Sequence, residues 1–113
     1  ALFAGFVAAG QTCVSGSRFL VQRGVYDAFV EKLADRVNAL RQGNPALVET
    51  DIGPVIDADS RKILEDHVAR LEKEGKVIAR GNLPEGADRG DLAVDAGVAA
   101  GRGGPQGVAG AAV

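Results

Sequence analysis

Tyr26, Phe29, Val30, Leu33, Val37 and Leu40 recur at i, i+3, i+4, i+7, i+11 and i+14, and no other feature restricts the fold of this chain as strongly. Apolar residues at that spacing line one side of a helix, and a helix with such a side needs other elements to cover it. Asp27, Glu31, Lys32, Asp35 and Arg36 occupy the opposite side. Gly43 stands where a left-handed residue would stop the helix and Asn44-Pro45 would keep it from resuming, so the pattern predicts a helix over 25–42. A second stripe, Ile63, Leu64, Val68 and Leu71, predicts a helix over 58–74 with those four residues inward and Gly75 as its stop. Asp66 and Arg70, and Arg70 and Glu74, then form i,i+4 pairs on its wet face.

The segments around these helices complete an α/β order. Residues 1–9 are small and apolar on nearly every side, which predicts a buried helix leading into a turn at Gly10. Arg18 to Gln22 and Lys76 to Arg80 are short apolar runs bounded by polar residues, and both are expected to be strands. Thr50 to Ile56 is a loop in which Pro54 biases Gly53 away from helical dihedrals. Strands alternating with two amphipathic helices, in a chain of 113 residues, amount to one domain or part of one.

Charge and composition exclude several functions. With 13 basic and 15 acidic residues, the chain has no electrostatic footprint for nucleic acid or for an anionic membrane surface. Its ten-residue apolar start lacks a basic leader and is too short to span a bilayer, and the chain does not begin with Met. A single cysteine rules out an internal disulfide or a CxxC metal or redox motif, and it suits a reducing, cytoplasmic compartment. The residues are unevenly distributed: all five aromatics lie in the first 29 positions, while nine of 16 glycines lie from Gly81 onward. Residues 92–113 are almost entirely Gly, Ala and Val. They offer little large apolar surface to offset chain entropy, so the tail reads as a low-complexity linker and is expected to be disordered.

Few side chains are candidates for chemistry. Cys13 is a nucleophile by type, but free cysteines are often buried packing residues. His67, the lone histidine, lies on the flank of the second helix, where a surface role is commoner than a dyad with Cys13. No Cys, His or Asp cluster has metal-ligand spacing. The tail sequence GRGGPQGVAG matches neither the phosphate-binding G-x-x-x-x-G-K-[ST] loop nor a complete G-x-G-x-x-G turn. Asp57, Asp59, Glu65 and Asp66 read as solvated helix surface. On residue types alone, the chain could be a small non-catalytic α/β interaction module with Cys13 as a packing residue.

One stretch favours a different class. Ala9-Gly10-Gln11-Thr12-Cys13-Val14-Ser15-Gly16-Ser17-Arg18, followed by Phe19-Leu20-Val21, resembles the active-site cysteine segment of the NAD(P)-dependent aldehyde dehydrogenase superfamily, roughly G-Q-x-C-x-A/S-x-x-R before an apolar strand. Tyr26 to Leu33 resembles the helix that follows it. Gly43-Asn44-Pro45 is similar to the family's G-[ND]-P, and Asp51 to Ile56 to its x-x-G-P-[LV]-I loop. The resemblance implies that residues 1–90 are part of a partial aldehyde-dehydrogenase-like catalytic domain and that Cys13 is the catalytic nucleophile. Its thiolate would attack a small-molecule aldehyde to give a thiohemiacetal, hydride would pass to NAD or NADP, and water would release the acid from a thioester.

The family's oxyanion-holding Asn, water-activating Glu and dinucleotide-binding fold lie before its cysteine, and its E-[IV]-F-G-P segment lies later. None of these falls in this sequence, so the isolated chain is expected to lack cofactor binding and turnover. The parent enzyme is expected to be a homo-oligomer. Thr50 to Asp57, the second helix, Gly75 to Ala79 and Leu83-Pro84-Glu85-Gly86 resemble the glutamate-semialdehyde (1-pyrroline-5-carboxylate) dehydrogenases. That group has Ser directly after its cysteine, whereas this chain has Val14. After Gly90 the resemblance ends, and residues 91–113 form a Gly/Ala-rich tail of uncertain structure, for which a divergent or frame-shifted end is one explanation.

Overall fold

In a computed structural model of the chain, residues 1–82, 97–101 and 108–112 are described. Their elements run α1 (Leu2–Phe6), a 3₁₀ segment (Val7–Gly10), β1 (Phe19–Leu20), α2 (Arg23–Asn38), α3 (Ala58–Glu74), β2 (Gly75–Arg80), β3 (Gly97–Gly101) and β4 (Val108–Ala112). The expected α/β class holds. The four strands form one sheet in the order β1-β4-β3-β2, and every pairing is antiparallel.

α2 supplies the centre of the core. Its Leu33 and Val37, and Leu40 beyond its end, cluster with Phe6 and Ala9 from the N-terminal segment, Ile52 from the central loop and Ala79 from β2. Val37 is completely buried, at 0% exposure. Phe29 packs at the margin of this cluster, and its ring lies 6.4 Å from that of Phe19, tilted by 50°, which joins α2 to β1 through an aromatic pair.

The helix ends at Asn38, four residues short of the expected boundary. Leu40 still points inward, because its N–H bonds the Val37 carbonyl at 3.1 Å in a tightened final turn. Arg41 and Gln42 then leave helical geometry to form parallel bridges with Asn82 and Ile52. The Asn82 side chain donates to the Asn38 carbonyl at 2.9 Å, satisfying an acceptor that the helix end leaves open. Gly43 is not left-handed: among the described glycines, only Gly10 has positive φ. The helix is stopped by these bridges rather than by a glycine cap.

α3 spans Ala58–Glu74, as its periodicity predicts. The Asp57 side chain caps it, accepting from the Ser60 N–H at 2.7 Å. Gly75 follows in an extended conformation and opens β2. Leu64, Val68 and Leu71 are half-buried, but Ile63, expected inward, is 69% exposed. On the wet face Asp66 pairs with Lys62 rather than with Arg70, while the expected Arg70–Glu74 pair lies outside the described side chains. Arg61 bonds Glu65 at 2.7 Å and Lys62 lies 3.7 Å from Asp66, while Arg70 donates to Nδ1 of His67 at 2.7 Å. Arg80 of β2 makes an ion pair with Glu72.

Both helices contact β2. A register shift between Val77 and Ala79 marks a bulge there. Residues 97–101 and 108–112 of the Gly/Ala-rich tail are the two middle strands. A backbone ladder needs no large side chains, which is how a stretch poor in apolar bulk joins the sheet. Leu83 to Gly86 and the Gly101-Arg102-Gly103 half-motif fall wholly or partly outside the described residues. Among those residues, no helix is long and apolar enough to cross a membrane, and no group of three or more metal-ligating side chains occurs.

Candidate active site

Cys13 is exposed and lies outside the buried core cluster. Its position follows from the backbone immediately before it. α1 is shorter than expected and only partly buried: Gly5 and Phe6 are inside, but Phe3 is 81% exposed. The chain then reverses through three successive left-handed residues, Ala8, Ala9 and Gly10, at φ 51°, 53° and 71°. The turn expected at Gly10 therefore begins two residues earlier. Glycine adopts this conformation freely, whereas an L-residue with a Cβ resists it by roughly 1–2 kcal/mol. Ala9 is buried in the core cluster, so its packing helps to hold a conformation that the backbone alone disfavours.

Cys13 and Val14 form the tip of the turn that follows. The Ser15 N–H donates to the Thr12 carbonyl at 3.0 Å, and the Thr12 and Ser15 hydroxyls are 2.7 Å apart, so the turn is clasped twice at its base. Val14 is 81% exposed, leaving the tip open on that side of the thiol, while Thr12 on the other side is half-buried. The base is anchored to α1 by the Gly16 N–H, which donates to the Ala4 carbonyl at 2.6 Å. A Cβ at Gly16 would meet the Phe19 ring at 3.3 Å and the Ala4 Cβ at 3.4 Å. This close approach gives the position a reason to be glycine.

Gln11 joins the cysteine turn to the central loop. Its Oε1 accepts from the Ile56 N–H at 2.8 Å, across 45 positions of sequence, and its Nε2 donates back to the Ala8 carbonyl at 3.2 Å. The two stretches that resemble one family, Gln11 to Arg18 and Asp51 to Ile56, thus touch directly. No local pattern signals this bond, because either half alone reads as an exposed polar residue beside a loop.

The loop is held at both ends. Arg41 donates to Asp51 from its backbone N–H at 3.0 Å and from its guanidinium Nε at 3.3 Å, while the Arg41 carbonyl accepts from the N–H groups of Asp51 and Ile52. The Arg41 backbone N–H, and then its guanidinium, hold the Asp51 carboxyl below the usual carboxylate range. At the other end the Ser60 backbone N–H, and then its side chain, do the same for Asp57. Between them Val55 is buried to 2% exposure. His67 is engaged with Arg70 on α3, and among the described residues no hydrogen bond joins it to Cys13, so the dyad is not formed.

This arrangement presents an accessible thiol on a braced turn, flanked by backbone N–H groups. A dinucleotide does not fit the described residues. Their sheet is antiparallel throughout, and it lacks the parallel strand–turn–helix unit whose helix N-terminus holds a pyrophosphate.

Comparison with known proteins finds relatives over most of the chain. Betaine aldehyde dehydrogenase 2 of Rhizobium meliloti is 45% identical over 75 residues, covering 66% of this chain and 16% of that protein. Glutarate-semialdehyde dehydrogenase of Pseudomonas putida is 45% identical over 78 residues, covering 68% and 16%. A crystal structure of betaine aldehyde dehydrogenase from Staphylococcus aureus, in complex with NAD+ and with a BME-modified cysteine, superposes with TM-score 0.77 at 33% identity, covering 85% of this chain and 20% of that one. Proline Utilization A from Bradyrhizobium japonicum superposes with TM-score 0.76 at 32% identity, covering 85% and 9%. The chain therefore spans about a sixth of the curated relatives it matches. The sequence profile described as "Aldehyde dehydrogenase family" matches residues 1–101, past Gly90 and into β3, and on that match the chain belongs to the aldehyde dehydrogenase family.

Proposed function

We propose that Cys13 is the nucleophile of an NAD(P)-dependent oxidation of a small aldehyde to a carboxylic acid, and that this chain carries the thiol part of that chemistry alone. The observation that carries the reading is the exposed Cys13 at the tip of a turn clasped by Thr12 and Ser15, within the region shared with named aldehyde dehydrogenases. The Cys13 thiolate adds to the carbonyl carbon, forming a C–S bond as the carbonyl π electrons move to oxygen. The family resemblance assigns stabilisation of that oxyanion to the Cys13 backbone N–H, a preorganised donor. Oxidation of the adduct requires a hydride acceptor, and the resemblance assigns this to NAD or NADP held by a domain outside these 113 residues.

The glutamate-semialdehyde reading of the substrate is supported by the Proline Utilization A neighbours. Val14 weighs against it, since its side chain cannot donate a hydrogen bond where that group has Ser. The division at Gly90, the cytoplasmic setting and the homo-oligomeric parent enzyme belong to the same proposal. Incubation with a small aldehyde isotopically labelled at its carbonyl carbon tests the reading. NMR should show a tetrahedral thiohemiacetal carbon with the chain as it stands and none with Cys13→Ser, while NAD added alongside stays oxidised. An adduct that survives Cys13→Ser, or no adduct with either protein, overturns the nucleophile; NADH formation by this chain overturns its incompleteness.

A further inference from the structure

We infer that Gln11 is a positioning residue for Cys13, setting the cysteine turn against the central loop through its two-ended side-chain amide. The inference rests on the reading of Cys13 as nucleophile. Nothing local makes the Thr12–Ser15 turn rigid in space. Its internal bonds fix its shape, and the Gly16–Ala4 bond ties it to α1, a five-residue helix that is itself followed by the left-handed stretch Ala8 to Gly10.

Gln11 spans that stretch. Its Nε2 and its backbone N–H both donate to the Ala8 carbonyl, at 3.2 and 3.1 Å, closing the left-handed turn on itself. Its Oε1 takes the Ile56 N–H at 2.8 Å. Ile56 lies between the buried Val55 and Asp57, the cap of α3, so the bond ends on a well-anchored stretch of backbone. An amide side chain suits this place because it accepts at one end and donates at the other. Since the thiol two residues away must meet a carbonyl carbon at a fixed approach, freedom in this turn lowers the fraction of productive encounters.

The test uses the full chain with a nitroxide attached to Cys13 through a methanethiosulfonate, together with amide hydrogen exchange. Wild type should give a motionally restricted electron paramagnetic resonance spectrum. Gln11→Leu should give a mobile spectrum and about tenfold faster exchange at the Ile56 N–H, with exchange at Leu33 and Val37 unchanged. Gln11→Glu keeps the acceptor for Ile56 but loses the donor to the Ala8 carbonyl, so its spectrum should fall between those of wild type and Gln11→Leu. Ile56→Pro deletes the donor from the other side, so it should free the label as Gln11→Leu does, which keeps the question answerable if Gln11→Leu fails to fold. A restricted spectrum in folded Gln11→Leu or in Ile56→Pro overturns the role. An unchanged spectrum beside a normal aldehyde adduct overturns Gln11 alone, whereas a mobile spectrum in a chain that forms no adduct overturns the nucleophile reading and the catalytic meaning of Gln11 with it.

Discussion

α2 and the cysteine turn lie in one domain but are held by different forces. α2 is fixed by burial: Leu33, Val37 and the following Leu40 are packed on Phe6, Ala9, Ile52 and Ala79. The cysteine turn exposes Cys13 and Val14 and is fixed by directed polar bonds from Gln11, Thr12, Ser15 and Gly16. Burial is non-directional and tolerates small shifts, whereas a short chain of hydrogen bonds fixes position while leaving its tip in water. A thiol that must be both reachable and placed needs the second kind of support. The contrast indicates that stability and geometry can be changed independently in this molecule.

Substitutions should separate the two regions. The largest effect belongs to the core: Leu33→Ala should destabilise by about 2–5 kcal/mol, because it removes buried methyl groups and leaves a cavity. Urea unfolding followed by circular dichroism checks this, and a midpoint equal to wild type would mean that α2 is not the centre of the fold. Next comes a pair of opposite substitutions expected to have the same sign. Exposed Ala8 is left-handed, so Ala8→Gly should relieve strain and stabilise by up to about 1 kcal/mol. Gly24 lies in α2, and a Cβ there would meet nothing within 4 Å, so Gly24→Ala should stabilise by about 0.4–1 kcal/mol through a less flexible unfolded chain. If Ala8→Gly destabilises instead, the left-handed reversal does not carry the strain assigned to it.

The smallest effect is electrostatic. The Asp51 carboxyl is held below its ordinary range by Arg41, so its contribution is fully present above the unfolded-state value near ~3.9 and is lost as pH falls through the lowered folded value. Asp51→Asn should therefore flatten the acid side of the stability profile. Only part of the slope should go, because Asp57 is shifted in the same direction by Ser60. A slope identical to wild type in titrated urea midpoints would show that the Arg41–Asp51 contact is not kept in solution.

What could be read beforehand follows the same division. α3 was legible in its span because its apolar spacing is local, but Asp57, read as solvated surface, proved to be its cap, and Gly75 stops it by opening β2 in an extended conformation rather than as a left-handed cap. α2 was legible in place but not at its end. Leu40 keeps the helical spacing while Arg41 and Gln42 serve bridges to Asn82 and Ile52, and a pattern of apolar positions cannot distinguish a helical residue from one buried just after the helix. The inward orientation of Ile63 failed because spacing defines a stripe without specifying how much of it is covered. The cysteine was found through its motif, but its exposure and the Gln11–Ile56 bond were not. Both depend on where distant backbone comes to lie.

The strand order also bears on how the chain acquires its shape. Phe19 of β1 pairs with Ala109 of β4, ninety positions later, and β3 and β4 lie between β1 and β2. β1 and β2 are thus bridged by β3 and β4, and loop-closure entropy must be overcome before those pairings help. On a ribosome, α2 and α3 can form as they emerge, but the sheet stays open until residues 108–112 are clear of the exit tunnel. Among the described residues β1, which leads out of the cysteine turn, pairs with β4 alone, so the segment carrying the thiol gains its sheet partner only once residues 108–112 are in place.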